Sequence, residues 1–266
     1  MRSSNDGGAD GDWRPFETID VGPAPVLVAC DHASNRVPPD CPDLGVPAEV
    51  MAQHVAWDIG AGPVTRHLVR HLDAQAILCG TSRLVIDCNR FPGGTGSIVQ
   101  VSDGIAVPGN QDLSSREVER RHDRYFEPYH QEMARRVEAL TEGERVPVIV
   151  SVHTFTPSFG GVDRPWDVGV LWDPIDDRLA PTMLEQLRSR GDLVVGDNEP
   201  YTALEPLGYS LAVFGRDEGI PMAVFEIRQD LVADAAGADR WGLILAEALR
   251  PVLARPGLYR RRERAA

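Results

Sequence analysis

Short apolar runs alternate with longer amphipathic stretches along this chain, and no other feature restricts its fold so strongly. Residues 25–30, 76–79 and 146–152 are almost wholly apolar. Residues 220–227 are apolar as well, apart from Glu226. A strand that is apolar on both sides must be covered on both sides, and helices between the strands are the usual cover. Further short strands are predicted at 84–86, 167–172 and 193–195. The expected fold is therefore α/β, with a mostly parallel or mixed central sheet and helices on both faces. In such sheets the site lies beyond the carboxyl ends of the strands.

Helices are predicted over 47–72 with a break near Gly60 and Gly62, over 177–190, and over 238–253. Ser114-Ser115-Arg116-Glu117 is a capping box, in which an N-cap hydroxyl and a carboxylate three residues on satisfy free amides. It opens a long helix running to about Thr141. Pro128 should kink that helix, because proline removes a donor and crowds the preceding turn. The glycine-rich segment 92–96 opens no helix and lacks a phosphate-loop lysine. It reads as a flexible loop or lid, not as a nucleotide cradle.

At 266 residues the chain is long enough to bury a full core without cross-links. Residues 1–13 read as a disordered lead-in and residues 14–266 as a single α/β hydrolase domain. No apolar run approaches the roughly 18 residues of a membrane span. The N-terminal stretch lacks the apolar core of a secretory signal. The formal net charge of −13 has the wrong sign for a phosphate-binding surface, which excludes nucleic acid as a partner. All 27 basic residues are arginine. Lysine Schiff-base chemistry is thereby excluded, and any cation in a site is a guanidinium fork suited to carboxylates. Cys30, Cys41, Cys79 and Cys88 form no C-x-x-C pair, so a cysteine zinc site is not expected. A reducing cytoplasm fits them best.

His32 follows the first apolar run and His153 ends the strongest one, so both should project toward one rim. Two imidazoles and a carboxylate, with water in the fourth place, form a usual catalytic zinc set. Three residues compete for the third position. Asn35 is a neutral amide and a poor ligand. Asp58 is better, and on a helix it would share a face with His54, four residues before it. Glu226 interrupts an apolar strand, where a carboxylate is costly unless paired or functional. Partial desolvation would raise its pKa and suit it to general-base work. The alternative is a structural ion pair with Arg228. Arg83, Asp87, Asn89 and Arg90 gather around one predicted strand end, where a guanidinium beside a neutral amide makes a carboxylate clamp. His67, His71, His122 and His130 fall on amphipathic helices and read as surface residues. Ser34 and Ser151 lack a nucleophile-elbow context, which excludes a serine hydrolase.

Five segments taken in order resemble the N-formylglutamate amidohydrolase family. They are Asp31-His32-Ala33-Ser34-Asn35-Arg36-Val37-Pro38, residues 54–61, residues 82–90, Ser151-Val152-His153-Thr154-Phe155-Thr156-Pro157, and Glu226-Ile227-Arg228. The match covers about residues 24–232. The resemblance implies a phosphorylase/hydrolase-like fold similar to that of zinc carboxypeptidases and aspartoacylases. It implies one zinc ion on His32 and His153. The carboxypeptidase glutamate ligand corresponds to Asn35 here, which moves the third ligand to Asp58. By the same likeness Glu226 is the base, and Asn89 and Arg90 hold a substrate carboxylate. Arg83 or Arg228 is expected to steady the oxyanion, and Arg228 is also a candidate for substrate binding. The implied substrate is a small anionic N-acyl amino acid such as N-formylglutamate. Phe214 and Met222 depart from the pattern, since many members carry histidine near those positions. That departure spares the metal site and bears on the substrate. Two rival readings are a deacylase or peptidase of larger N-acyl substrates and a metal-free binding module.

Overall fold

In the computed structural model, which describes residues 13–204 and 208–263, the apolar runs form the middle of a seven-stranded mixed sheet. Its strands are β1 (Phe16–Asp20), β2 (Val26–Cys30), β3 (Gln75–Cys79), β4 (Val148–Phe155), β5 (Val168–Leu171), β6 (Val195–Asp197) and β7 (Met222–Arg228). Their spatial order is β1-β3-β2-β4-β7-β5-β6. The four central strands β3, β2, β4 and β7 are parallel. At the flanks, β1 pairs antiparallel with β3, and β5 antiparallel with β7. Every residue of β2 and β4 is buried, as continuous apolar strands require.

The edge strand β1 escaped the sequence pattern because Phe-Glu-Thr-Ile-Asp is short and only half apolar. Its far end is fixed by charge instead, since Arg136 Nη1 donates to Asp20 Oδ1 at 2.6 Å. The lead-in expected over residues 1–13 lies, up to residue 12, outside the described residues. Trp13 is packed, with its indole 5.4 Å from the Tyr125 ring and its Nε1 donating to Gly80 O.

Helices α1 (Ala48–Met51), α2 (Ala61–Leu72), α3 (Ser115–Arg121), α4 (Glu127–Leu140), α5 (Ala180–Ser189) and α6 (Ala235–Leu253) complete the layers. One apolar cluster joins α2, α5 and α6 to the face carrying Val28, Val150 and Phe225. The other joins α4 to the face carrying Ala29, Ile149 and Val224. The helix expected over 47–72 breaks after Met51 and resumes at Ala61. Gly60 sets the break: its φ is +86°, and a side chain there would meet Val232 O at 2.5 Å. Asp58 therefore sits in a turn, not on a helix face shared with His54. The expected kink at Pro128 takes the form of a π-helical turn at His122–Phe126, directly before α4.

Residues 84–86 are buried, as expected, but form no strand. Their carbonyls are taken by side chains in place of a neighbouring strand. Asn110 Nδ2 donates to Leu84 O at 2.8 Å, and the fully buried Arg121 donates to Val85 O at 3.0 Å. Among the described residues no helix is long and apolar enough to cross a membrane.

α6 approaches α2 closely at Gly242. A Cβ on Gly242 would stand 2.6 Å from His67 Cβ and 3.0 Å from Leu68 N. Alanine is the better helix former by about 1 kcal/mol, yet a backbone atom cannot rotate aside. Overpacking of this kind costs typically 1–3 kcal/mol. We expect Gly242→Ala to lower Tm by several degrees in a melt followed by circular dichroism; a raised Tm would refute the close approach.

Candidate metal centre

Three elements meet at the carboxyl end of the parallel strands. The turn after β2 supplies Asp31 and His32, β4 supplies His153, and the turn before α2 supplies Asp58. The backbone fixes Asp58 beside His32, since Asp58 N donates to His32 O at 3.0 Å. Asp58 Oδ2 lies 2.8 Å from His153 Nδ1 and 3.3 Å from His32 Nδ1. One ligand atom from each of these three buried residues falls within 4.8 Å of the other two, so the group could hold a metal ion.

The opposite nitrogen of each ring is held from behind. His32 Nε2 donates to Asp87 Oδ1 at 2.7 Å. His153 Nε2 lies 3.1 Å from Ser151 Oγ and 3.3 Å from Asp31 Oδ2. Each imidazole thus has a carboxylate behind it and its Nδ1 turned toward Asp58, the arrangement that orients histidine as a ligand. Asp31 is itself held, because the Tyr129 and Ser210 hydroxyls donate to its Oδ1 at 2.8 and 3.2 Å.

Burial opposes ionisation of Asp58, but the His32 and His153 imidazoles overcome it and hold its carboxyl far below the usual range. Burial likewise opposes charge on Asp87, and Arg83 and His32 reverse it. For Asp31 the reversal comes from His153. Burial favours neutral imidazole at His153, yet Asp31 and Asp58 raise its pKa well above the ordinary value. His32 is raised too, with burial and Arg83 outweighed by Asp87 and Asp58. Among the described residues one guanidinium, Arg83, pairs with two of these three carboxylates, bonding Asp58 Oδ1 and Asp87 Oδ2. With neutral imidazoles the cluster therefore carries two uncompensated negative charges, the charge of one divalent ion. Two nitrogen donors and one carboxylate fit such an ion chemically.

The centre opens into a cleft of about 360 Å³ lined also by Arg83, Asn89, Arg90 and Glu226. Glu226 lies beside His153 across the β7–β4 pairing. Burial pushes its carboxyl up to about 7, with His153 opposing, and its Oε2 has no hydrogen-bond partner. The alternative pairing of Glu226 with Arg228 is not what Arg228 makes. Arg228 bonds Asp230 Oδ1 at 2.8 Å and Asp167 Oδ1 at 3.3 Å, and it does not line the cleft. Arg90 does, with Nη1 donating to Asn89 O and no carboxylate partner among the described residues.

The other candidates for the third ligand are occupied elsewhere. Asn35 Nδ2 donates to Met51 O at 2.9 Å, and His54 pairs at the surface with Asp103. His130, expected at the surface, is buried and donates from Nε2 to Cys88 O; aromatic rings of Phe126, Tyr129 and Tyr209 enclose it. Met222 lines the cleft whereas Phe214 does not, and neither does the 92–96 loop. The sequence pattern did not single out Asp31, Tyr129 and Ser210 as partners. The adjacent Asp-His pair was the available signal for Asp31; Tyr129 and Ser210 are distant in sequence and carried none.

The chain matches the family model of the N-formylglutamate amidohydrolases over residues 24–233. Among solved structures it is similar to a gene product of Agrobacterium tumefaciens, with 31% identity and a TM-score of 0.83 over 92% of this chain and 96% of the other. It is also similar to an N-formylglutamate amidohydrolase from Ralstonia eutropha JMP134. There the identity is 23% and the TM-score 0.67, over 90% of this chain and 97% of the other. That second likeness speaks for the fold alone. No curated protein matches the chain.

Two stability measurements test the centre. An ion bound only by the folded state stabilises it, by about 4 kcal/mol at a thousandfold excess over Kd, so a chelator should lower Tm. The pH dependence should also reverse. In metal-free protein the raised imidazoles stabilise fully below their unfolded pKa of about 6.5 and lose that contribution as pH rises through their folded values. Glu226, also raised, acts in the same direction, and the three depressed aspartates keep their contribution until pH falls below about 4. Protons compete with a bound ion for the same imidazoles. Between about pH 5 and 8, Tm should thus fall with rising pH in chelated protein and rise in loaded protein. His153→Ala should lose both the ion, by elemental analysis, and the reversal; full occupancy in that variant would exclude this centre.

Proposed function

This chain belongs to the N-formylglutamate amidohydrolase family, and from that premise we propose that it hydrolyses the N-acyl amide of a small carboxylate-bearing amino acid, such as N-formylglutamate, with zinc as its metal. The observation that carries the reading is a buried carboxylate shared by two imidazoles, beside a second carboxylate with an unpartnered oxygen, in one open cleft. His32, Asp58 and His153 would hold the ion. When bound there, a zinc ion supplies Lewis-acid polarisation and makes water acidic enough to attack near neutral pH.

The chain's own groups account for the remaining steps. Glu226, poised near neutrality by burial, accepts a proton from water as the new C–O bond forms at the amide carbon. It then returns that proton to the leaving nitrogen as the C–N bond breaks, and the products are a carboxylic acid and an amine. A pKa close to the working pH serves both transfers. Arg83 keeps guanidinium N–H groups beyond those bonded to Asp58 and Asp87, and these offer donors to the developing oxyanion. Asp31 and Asp87 fix the ring orientation of the two imidazoles. Arg90, with Asn89 beside it, receives the substrate carboxylate in a bidentate fork.

Glu226→Gln should lose about a hundredfold or more in kcat, the lower end of general acid–base contributions, while retaining its metal. Turnover near the parent's rate would remove Glu226 from the reaction. Arg90→Lys keeps the charge and loses the fork. We expect about a tenfold or greater fall in kcat/KM, since a charge-assisted hydrogen bond is worth about 1.5–3 kcal/mol. A substrate whose carboxylate is converted to an amide should suffer a similar loss with the parent enzyme. The two losses should not add, because each removes one shared interaction. An unchanged ratio of acid to amide rates in Arg90→Lys would exclude Arg90 as the clamp.

A further inference from the structure

The cleft has an apolar half that the chemistry above leaves unused. Leu171, Ala203, Leu211, Met222 and Val224 line it. Side chains alternate along a strand, so Met222 and Val224 share a face of β7 with Glu226. Val224 pairs with Leu171 across the β7–β5 boundary. These residues therefore form one continuous patch beside the base. The lining reaches solvent at Tyr201, which is 43% exposed.

The order of elements across the sheet separates the two halves. Segment 82–90, which follows β3, carries Asn89 and Arg90. Then come His32 after β2, His153 on β4, Glu226 on β7, and Leu171 on the antiparallel β5, level with Val224 and so deeper than Glu226. A substrate with its carboxylate at Arg90 and its amide carbonyl beside His153 and Glu226 directs the acyl substituent toward β7 and β5. A formyl group has only a hydrogen there and would leave the patch in water. An apolar surface inside a cleft is stabilised by an apolar occupant.

We propose that the preferred substrates are N-acyl amino acids whose acyl group is an unbranched apolar chain longer than formyl, seated on Leu171, Met222 and Val224. This rests on the hydrolytic reading above and names its substrate class. Water adds to the acyl carbon, the amide C–N bond breaks, and the products are a free aliphatic carboxylic acid and the amino acid, with no further reactant.

The test is kcat/KM of zinc-loaded protein on formyl, acetyl, butanoyl, hexanoyl and octanoyl glutamate. Burial of each methylene should raise kcat/KM about fourfold, until the chain has covered these three side chains. Leu171→Ala should flatten the series. Calorimetry of the same ligands on Glu226→Gln protein gives a readout free of turnover: affinity should rise with chain length and the heat-capacity change should become more negative. Should Leu171→Ala fail to fold, the parent series and the calorimetry still decide. Fastest hydrolysis of the formyl compound, with rates falling as the chain grows, would overturn the inference and leave the hydrolytic reading standing. A gain that follows the amino-acid side chain instead, N-formylleucine over N-formylglutamate with no effect of acyl length, would also overturn it. Hydrolysis of none of these compounds by zinc-loaded protein would remove the reaction and this inference together.

Discussion

One carboxylate oxygen, Asp58 Oδ2, lies within hydrogen-bonding reach of two imidazoles and of the Thr154 amide, and the rest of the centre is organised around it. Burying a carboxylate, two imidazoles and two further aspartates at one point is costly without compensating charge. The protein offsets that cost with geometry. Each imidazole is flanked by carboxylates on both sides, each rear carboxylate has a second donor, and Arg83 spans Asp58 and Asp87. With both imidazoles neutral the balance leaves negative charge at the place where three ligand atoms converge, a charge that a divalent cation would neutralise.

The same need explains why the segment carrying Arg83 and Asp87 is not a strand. A strand would point alternate side chains to opposite faces, and Arg83 and Asp87 would then share a face without curling toward one another. The turn at 82–85, closed by Val85 N donating to Ser82 O, instead brings Arg83 Nη2 to 2.8 Å from Asp87 Oδ2. Turning the chain this way leaves the Leu84 and Val85 carbonyls buried without a ladder partner. Asn110 and Arg121 satisfy them. The requirement of the site is thus met by elements some distance away, the turn at Pro108–Asn110 and the last residue of α3.

Much of this was legible in the sequence. The central strands could be read because a two-sided apolar run has few alternatives. His32, His153 and Glu226 could be read because polar residues at the end of such runs, or inside them, need a reason. Spacing could narrow the third neighbour to Asp58 but could not fix it, since the helical i, i+4 relation with His54 does not exist. Gly60 ends that possibility through a contact with Val232, which lies far along the chain. Arg228 misled for the opposite reason. Its place two residues after Glu226 suggested a shared site, but Asp230 and Asp167 supply carboxylates that hold it outside the cleft. β1 was missed because its stability comes from pairing with β3 and from Arg136, neither visible in five residues. His130 was misplaced because a helix face looks polar until aromatic neighbours enclose it.

The absence of lysine from the sequence also acquires a structural sense. Arg121 is fully buried and bonds Glu117 Oε1, Val85 O, Asn110 Oδ1 and Gly109 O. Four acceptors around one side chain exceed the three donors of an ammonium group, whereas a guanidinium has five in a plane. Arg136 bonds Asp20, Gln75 and Glu132 in the same manner. Arg83 holds two aspartates on one fork and still faces the cleft. At Arg121 a lysine would keep the charge and leave a buried acceptor without a partner, which costs more than the missing bond alone. The overall charge of −13 has little bearing on an anionic substrate, since exposed charges beyond about 10 Å are largely screened at 0.1 M salt. Under the hydrolytic reading proposed above, the local guanidinium groups inside the cleft would decide, and the fork geometry that steadies the fold is also the one suited to a carboxylate.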